Sequence, residues 1–224
     1  MNTSTLRSMA KPVNPRPYDA SGRRAKAQQT RRAILDAAAR LFVERGYAAT
    51  TMAAIAAAAG VAQDTLYATI GPKPALFRLL VETAISGRDV AVPAEERDYV
   101  RAIRAASSAS AKLVLYAGAM RRIQERLAPL LRVVQEAAPA QAEIGELWAE
   151  VASRRASNMQ LFVADLLATG ELRPDISVEE AADVIWALNS SEFYLLLVKE
   201  RGWTPERYEQ WLADAWQRLL LRAG

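Results

Sequence analysis

The stretch TMAAIAAAAGVAQDTLYATIGPK, residues 51–73, limits the possible folds of this chain more than any other part of the sequence. Its first half has apolar residues at the helical spacing i, i+3, i+4 and i+7, namely Met52, Ile55, Ala56 and Ala59. Gly60 follows, and glycine readily takes the positive φ that ends a helix. Val61, Leu66 and Ile70 then supply the apolar face of a second short helix. Two short helices joined by a tight, glycine-containing turn predict a helix-turn-helix.

The two predicted helices offer different surfaces to their surroundings. Residues 53–59 are almost all alanine, so the first helix can lie close against a neighbour. The second helix presents polar side chains outward, where base edges and phosphates could meet them: Gln63, Asp64, Thr65 and Tyr67. Taken alone, the pattern also fits an alanine-rich hairpin inside an ordinary helical bundle, because short motifs have false positives. The flanking sequence distinguishes these two interpretations.

The flanks extend the motif into a longer pattern that runs from Thr30 to about Ala84. Its parts are an ILDAAARLF helix, an ERGYAATT segment, the IAAAAGV turn, TLY in the second helix and a lysine just before the next helix. In these parts and their spacing, the chain resembles the TetR-type transcriptional regulators. It departs from that family at Ala62, where a capping serine is usual, at the acidic Asp64, and at residues 68–71, where basic and aromatic residues are commoner. These departures concern the base contacts rather than the fold.

The resemblance implies an all-α protein, with a three-helix head that carries the helix-turn-helix and a larger antiparallel helical body. It implies a DNA-binding domain at residues 23–88 and a ligand-binding and dimerisation domain at residues 89–224. The protein would be a ligand-responsive repressor that binds a palindromic double-stranded operator as a homodimer and answers to an unknown small molecule. A weaker likeness over residues 170–194 implies that the last two helices form a four-helix bundle with a second subunit.

The expected DNA contacts lie in the second helix of the motif and at the starts of its neighbours. Thr50 or Thr51 is placed to cap the first helix, and a helix N-terminus is also a site for phosphate. Thr51, Tyr67 and Lys73 are expected to hold phosphates, whereas Gln63 is expected to read bases. The full set of expected contacts is Thr50, Thr51, Gln63, Asp64, Thr65, Tyr67, Thr69 and Lys73.

The chain contains neither cysteine nor histidine. This composition excludes disulfides, Ser-His-Asp and Cys-His catalytic sites, zinc sites of the usual kinds, and di-iron bundles that need Glu-x-x-His pairs. Glu143, Glu146 and Glu150 share one helix face, but carboxylates at this spacing are far more typical of a solvated surface. We therefore expect a protein that is not an enzyme and has no cofactor or metal. A helical enzyme and a purely structural bundle or adaptor are the alternatives.

Charge is distributed unevenly along the chain. Residues 1–88 hold thirteen Lys and Arg against five Asp and Glu, a net charge of +8. Residues 89–224 hold sixteen against twenty, a net charge of −4. Since the positive excess coincides with the motif, it favours a head that binds a polyanion and argues against the structural bundle.

Helices separated by a few breaks are predicted for the rest of the chain. Helical periodicity covers residues 25–45, 74–87, 99–106, 111–127, 130–137 and 143–167, with Pro129 and Pro139 as breakers. Ser177 and Glu180 predict a capping box that opens a helix running to Gly202. Thr204 is the predicted N-cap of the last helix, because a proline follows it at the first helical position. The helix over residues 74–87 leaves the head and enters the body.

The body is rich in large apolar side chains that could form a ligand pocket or a subunit interface. Candidates for a pocket are Tyr99, Tyr116, Met120, Trp148, Met159, Phe162, Trp186 and Tyr194, and most of them are expected to be ordinary core residues. The last two helices carry more apolar surface than one helix pair needs to bury. A dimer face is therefore expected to include Phe193, Leu196, Trp211 and Trp216.

The first 22 residues contain three prolines and no apolar periodicity, which predicts a flexible tail. Its surroundings are basic, with Arg7, Lys11, Arg16, Arg23, Arg24 and Lys26. It could be an arm that follows the minor groove or a solvated tail, and the sequence leaves both open. No secretory signal and no apolar run of membrane-spanning length is recognisable, so we expect a cytoplasmic protein without a membrane partner.

Overall fold

The computed structural model describes residues 20–222, and over that range the protein is helical. The helices are α1 (Ala20–Ala49), α2 (Met52–Ala59), α3 (Gln63–Thr69), α4 (Lys73–Ser86), α5 (Asp98–Ala105), α6 (Ala109–Ala137), α7 (Ala142–Leu167), α8 (Val178–Leu188), α9 (Ser191–Tyr194) and α10 (Pro205–Leu220). A 3₁₀ turn, Ala94–Glu96, precedes α5, and a π-helical segment, Leu195–Glu200, continues α9. Between residues 20 and 222 there is no strand, only an isolated bridge that pairs Leu172 with Leu221. The predicted all-α fold class is confirmed.

Helices α1, α2, α3 and α4 form a small head, in which an aromatic cluster joins α1 to α4. Gly46, with a φ of 77°, turns the chain near the end of α1, so that Tyr47 folds back on Phe42. The rings of Phe42 and Tyr47 stack with their centres 5.5 Å apart. Phe77 of α4 meets these two rings edge-on at 5.1 and 5.4 Å. Because such ring pairs stabilise a fold beyond the area they bury, the cluster fastens α4 to the end of α1.

The first helix begins earlier than its periodicity predicts. α1 starts at Ala20 rather than near Ala25, and it therefore includes Arg24 and Lys26, two of the cations that the sequence assigned to a basic tail or its surroundings. The other tail cations lie outside the described residues, or have side chains that do: Arg7, Lys11, Arg16 and Arg23. The prediction of a flexible tail falls largely on residues 1–19, which are also outside the described range.

α6 is the centre of the body, and six helices within residues 20–222 pack against it. Its buried side chains cover one broad face and include Leu113, Ala117, Met120, Ile123, Leu127, Leu131 and Val134. Helices α1 and α4 of the head pack against it, as do α5, α7, α9 and α10. Gly118 leaves room for the Glu209 carboxylate of α10, because a Cβ at this position would lie 3.0 Å from one of its oxygens.

α6 continues through Pro129, which the sequence predicted to be a breaker. Proline has no N–H to donate to the carbonyl four residues earlier, which here belongs to Glu125. Glu125 is exposed, so water can hydrogen-bond to that carbonyl. Leu130 and Leu131 are buried directly after the proline, and burying a leucine contributes about 1.5–3 kcal/mol. Apolar burial therefore outweighs the lost hydrogen bond, and only Pro139 lies in a true break between helices.

The long helix predicted from Ser177 to Gly202 is interrupted after α8. Its opening is as predicted, with the Ser177 capping box in place. Ser190 then caps a new helix, α9, and the two segments are bent by 42°. A buried hydrogen bond fixes the break, since the Gln124 side chain donates to the Asn189 carbonyl at 2.6 Å. The sequence prediction was wrong here because it could not include this contact from α6.

The apolar residues of the last helices do not all face outward. Trp216 is fully buried and stacks on Tyr116 at 5.4 Å, so it belongs to the core of the body and not to a dimer face. The others keep exposed or half-buried surface: Phe193, Leu196, Trp211 and Leu219. No single helix within residues 20–222 is long and apolar enough to cross a membrane. α8 together with residues 191–200 reaches that length and composition only as the bent pair.

α4 joins the head to the body. Its first half contributes Phe77 to the aromatic cluster, and the helix also packs against α6 and α7. Two ion pairs link it to α7: Arg78 with Glu150 at 2.7 Å, and Glu82 with Arg154 at 2.6 Å. Their basic side chains are both substantially exposed, so these pairs align α4 with α7 more than they stabilise the fold.

We expect Gln124→Leu to destabilise the body. The leucine would leave the Asn189 carbonyl and the Ser191 hydroxyl, which now bonds Gln124 at 2.7 Å, without partners in the interior. Each unpaired buried group costs about 1–3 kcal/mol, so the free energy of unfolding should fall by about 2–5 kcal/mol in urea denaturation. Gln160→Leu on the exposed face of α7 is the matched control. Equal effects of the two substitutions would contradict this role for Gln124.

Candidate DNA-binding surface and interior cavity

Three local features build the helix-turn-helix. Thr51 caps α2, because its hydroxyl oxygen accepts a hydrogen bond from the Ala54 N–H at 3.1 Å. Gly60 ends α2 with a φ of 68°, a left-handed conformation that favours glycine. The Val61 N–H then bonds back to the Ala56 carbonyl at 3.0 Å, which closes the turn. The cap and the glycine end agree with the sequence predictions.

α3 is anchored by one side chain and exposes most of the others. Leu66 is fully buried against the head. Gln63, Asp64, Thr65 and Tyr67 are exposed, and Tyr67 has 44 % of its surface accessible, which is high for a large aromatic residue. Thr69 is half-buried, and its hydroxyl donates to the Thr65 carbonyl at 2.6 Å. The helix therefore presents a polar surface that nothing else in residues 20–222 covers.

The start of α3 lacks a side-chain cap. Ala62 occupies the N-cap position and has no hydroxyl to accept the free N–H groups of the first turn. Asp64 lies in that turn, where a negative charge interacts favourably with the positive end of the helix dipole. This interaction gives an acidic residue on a basic head a local structural explanation.

Thr50 is not on the surface, contrary to the prediction that it contacts DNA. Its side chain is fully buried, and its hydroxyl donates to the carbonyls of Leu41 and Gly46 at 3.0 and 2.8 Å. The two adjacent threonines thus have different structural roles. Thr50 stabilises the end of α1, while the exposed Thr51 caps α2. The sequence could not separate them because either hydroxyl suits a cap.

Lys73 lies at the start of α4 beside the aromatic cluster. Its ammonium is 4.2 Å from the centre of the Tyr47 ring and 3.5 Å from the Ala48 carbonyl oxygen. Burial lowers the pKa of Lys73, and the charge of Glu143 opposes that change. Burial, with a smaller effect of Glu143, raises the pKa of Tyr47 to about 12, so the phenol beneath the ammonium is neutral at neutral pH. The ring and the carbonyl hold this cation in place.

The body contains a partly open cavity of about 670 Å³. Side chains of α5, α6, α7, α8 and α9 line it, and Ile85 reaches it from the end of α4. Seven of the eight residues proposed from the sequence are in its wall: Tyr99, Tyr116, Met120, Trp148, Met159, Phe162 and Trp186. Cavities of this size with largely apolar walls are typical of small-molecule sites.

Tyr194, the eighth residue proposed, does not line the cavity. It is 3 % exposed and meets the ring of Tyr208 edge-on at 5.1 Å, so it packs toward α10. The bend before α9 explains the difference, because the sequence prediction treated residues 177–202 as one straight helix.

Tyr116 organises the aromatic side of the cavity. Its ring lies 4.8 Å from that of Phe162 and 6.3 Å from that of Tyr99. Its hydroxyl donates to the Met159 sulfur at 3.4 Å and accepts from the Asn189 amide at 3.1 Å. Burial is the largest cause that raises the pKa of Tyr116 well above its ordinary value, so the hydroxyl remains protonated.

Sequence reasoning missed the polar residues of the wall, of which Arg155 is the most unusual. The wall includes Arg97, Gln124, Arg155, Asn158 and Asn189. The Arg155 guanidinium lies 4.4 Å from the centre of the Trp186 ring. Burial lowers its pKa, while Tyr116 and Glu192 act in the opposite direction. Helical spacing could have found this arginine, since it follows Trp148 by seven positions and precedes Met159 by four.

Comparison with known proteins identifies the head. Residues 34–79 match the family model of the bacterial regulatory proteins of the tetR family. This segment runs from α1 through the helix-turn-helix into α4, the parts whose geometry is described above. The head of the chain therefore matches the tetR family. No curated protein sequence matches it.

Solved structures extend the likeness from the head to the body. NalD, the secondary repressor of the MexAB-OprM multidrug efflux pump in Pseudomonas aeruginosa, is 23 % identical, with a TM-score of 0.67 over 88 % of this chain and 100 % of NalD. A putative transcriptional regulator from Saccharomonospora viridis in complex with choline is 20 % identical, with a TM-score of 0.62 over 88 % and 100 % of the two chains. SmeT in complex with triclosan is 18 % identical, with a TM-score of 0.61 over 87 % and 93 %. At these identities the likeness shows a shared fold.

Thr50→Val should destabilise the head. Valine keeps the shape of threonine but leaves the Leu41 and Gly46 carbonyls without the hydroxyl that now bonds them. We expect the free energy of unfolding to fall by about 1–3 kcal/mol in urea denaturation. Thr65→Val, at an exposed position of α3, is the control and should change stability by less than about 0.5 kcal/mol. A Thr50→Val protein as stable as the control would show that the buried hydroxyl is dispensable.

Proposed function

We propose that this TetR-family protein is a ligand-responsive repressor that binds a palindromic operator as a homodimer. The observation that carries the proposal is the surface of α3, which buries Leu66 alone and exposes Gln63, Asp64, Thr65 and Tyr67 from a firmly packed head. The net charge of +8 over residues 1–88 supports the same partner, double-stranded DNA. The protein acts in the cytoplasm as a regulator, without a cofactor or a reaction of its own.

In this proposal α3 enters the major groove, and the residues around it hold the backbone. Gln63 and Thr65 face base edges, while the exposed Thr51 and Tyr67 and the fixed ammonium of Lys73 bind phosphates. Two copies related by a two-fold axis then read half-sites whose centres are about 34–36 Å apart. The buried Thr50 has no part in these contacts.

The cavity in the body is the proposed site of the effector. Its wall includes Ile85 of α4, and Arg154, also in the wall, pairs with Glu82 of α4. A molecule in the cavity therefore contacts the helix that joins head and body, and it can change the angle at which the head is held. SmeT with triclosan and the Saccharomonospora viridis regulator with choline lend support, since each holds a small organic molecule. The repressor NalD supports the direction of regulation.

Dimerisation is proposed through the outer faces of α8, α9 and α10. Leu196 and Leu219 are 46 % and 43 % exposed there, and Phe193 and Trp211 stack with their centres 6.2 Å apart. An enzyme is disfavoured by the absence of histidine and cysteine. Among the described residues there is also no cluster of acidic side chains able to hold a metal. Glu150, one of the three carboxylates that share a face of α7, is paired with Arg78.

Lys73→Ala should weaken DNA binding without changing sequence preference. Loss of one phosphate contact lowers the slope of log affinity against log salt concentration by about 1. The measurement is fluorescence anisotropy with a duplex selected from a random pool and with an unrelated duplex, at several salt concentrations. Lys73→Arg, which keeps the charge, should retain the slope. Gln63→Ala should instead reduce the difference in affinity between the selected and the unrelated duplex. An unchanged salt slope in Lys73→Ala would remove this residue from the interface.

Sedimentation at micromolar concentration should show a dimer and no monomer. Interfaces of obligate dimers bury at least about 2,000 Å², and an acidic group placed inside one is strongly unfavourable. Leu196→Glu should therefore produce folded monomers. Leu167→Glu, at a leucine on α7 that is 52 % exposed, is the control and should remain dimeric. A wild-type protein that sediments as a folded monomer would disprove the proposed assembly.

A further inference from the structure

The cavity contains a cation that nothing in the protein neutralises at close range. The side chain of Arg155 has no ion pair and no hydrogen bond within residues 20–222, although much of it is buried. Its Nε is closed off from solvent and has no partner. The guanidinium is held only by the face of the Trp186 ring at 4.4 Å. The guanidinium N–H groups of Arg155 are thus hydrogen-bond donors without partners in the wall of an otherwise largely apolar cavity.

The other charges of the cavity are already occupied or lie at its exposed edge. Asp165 bonds the buried ammonium of Lys112 at 2.8 Å. Arg154 pairs with Glu82 at 2.6 Å. Exposed acids of the wall are Glu95 and Glu192, and neither lies within 4.0 Å of a nitrogen of Arg155. Arg97 is also anchored, because it donates to the Val92 carbonyl at 3.0 Å and to the Tyr99 hydroxyl at 3.4 Å.

A buried charge without a partner is costly, and proteins ordinarily pair it or leave it in water. A guanidinium presents parallel N–H groups that match the two oxygens of a carboxylate or sulfonate. The aromatic walls formed by Tyr116, Phe162 and Trp148 suit a flat apolar group beside that anion. A cationic ligand would find the Trp186 ring face taken and a like charge next to it.

We propose that the effector is an amphipathic organic anion, whose flat apolar body lies against the aromatic wall and whose acidic group binds the Arg155 guanidinium. This inference rests on the proposed role of the cavity as the effector site. It adds the chemical class of the molecule and assigns its recognition to one residue. Asn189, which is fully buried and whose Oδ1 has no partner, offers a second polar contact to a hydrogen-bond donor on the same ligand.

Two fluorescent probes with the same ring system test the proposal. 8-Anilinonaphthalene-1-sulfonate carries an anionic group, and N-phenyl-1-naphthylamine is the same molecule without it. We expect the wild-type protein to bind the sulfonate more tightly, with about one molecule per subunit. Arg155→Gln should weaken binding of the sulfonate by about 10-fold or more and binding of the neutral probe by less than about 3-fold. Glu192→Gln, which removes an acid whose charge acts on Arg155, should strengthen binding of the sulfonate alone.

Matched variants separate this effect from general damage and locate the site. Arg104→Gln removes the same charge from an exposed arginine of the wall and should leave both affinities nearly unchanged. Ala152→Phe fills the cavity and should weaken both probes together. Arg155→Lys keeps the charge but loses the fork, so its sulfonate affinity should fall between wild type and Arg155→Gln. Arg155→Lys also replaces Arg155→Gln as the test variant if Arg155→Gln fails to fold, as judged by circular dichroism.

The outcomes distinguish this inference from the proposed function. Equal affinities of the two probes in the wild type, or equal losses in Arg155→Gln, would overturn the choice of an anion and leave the cavity as a ligand site. Failure of both probes to bind the wild type would overturn the ligand site and this inference together. DNA binding is measured separately. It does not affect the affinities for the two probes, and it tests the proposed function as a regulator.

Discussion

The burial of one broad face of α6 is the constraint on which the rest of the structure depends. A helix with an apolar face this broad is stable only where other helices cover that face. α6 extends far enough for α1 and α4 to pack against it together with α5, α7, α9 and α10, which makes it part of both head and body. Its few buried polar residues, Lys112 and Gln124, each have partners that fix a neighbouring segment. The same helix also supplies Tyr116 and Met120 to the cavity wall.

Features determined by adjacent residues could be predicted from the sequence. The Thr51 cap, the Gly60 turn and the Ser177 capping box are bonds between residues a few positions apart, and they are present as expected. Features determined by residues far apart in the sequence could not be predicted in this way. The helix survives Pro129 because of packing, and the break at Asn189 depends on a side chain 65 positions away. Sequence patterns describe each helix by itself, whereas these outcomes depend on what surrounds it.

The candidate sites show the same division. Exposure of α3 follows from a short amphipathic pattern with Leu66 as its anchor, and it could be foreseen. Most of the cavity wall could be foreseen as well, because large aromatic residues in middle helices must be buried somewhere. The spacing of Arg155 could have placed it in the wall, but its lack of a partner could not be foreseen, since arginines on helices are usually solvated and only the arrangement of α5, α6 and α8 around it makes it different. Trp216 was misassigned because composition alone cannot tell which subunit covers a tryptophan.

The ion pairs between α4 and α7 make the attachment of the head sensitive to its surroundings. Arg78 and Glu150 are each nearly half exposed, so added salt weakens their attraction. Added salt would therefore loosen the orientation of the head over the same range in which it weakens phosphate contacts. The total dependence of DNA affinity on salt then contains a conformational part as well as counterion release. A phosphate count taken from that slope alone would be too high for a protein whose head is aligned in this way.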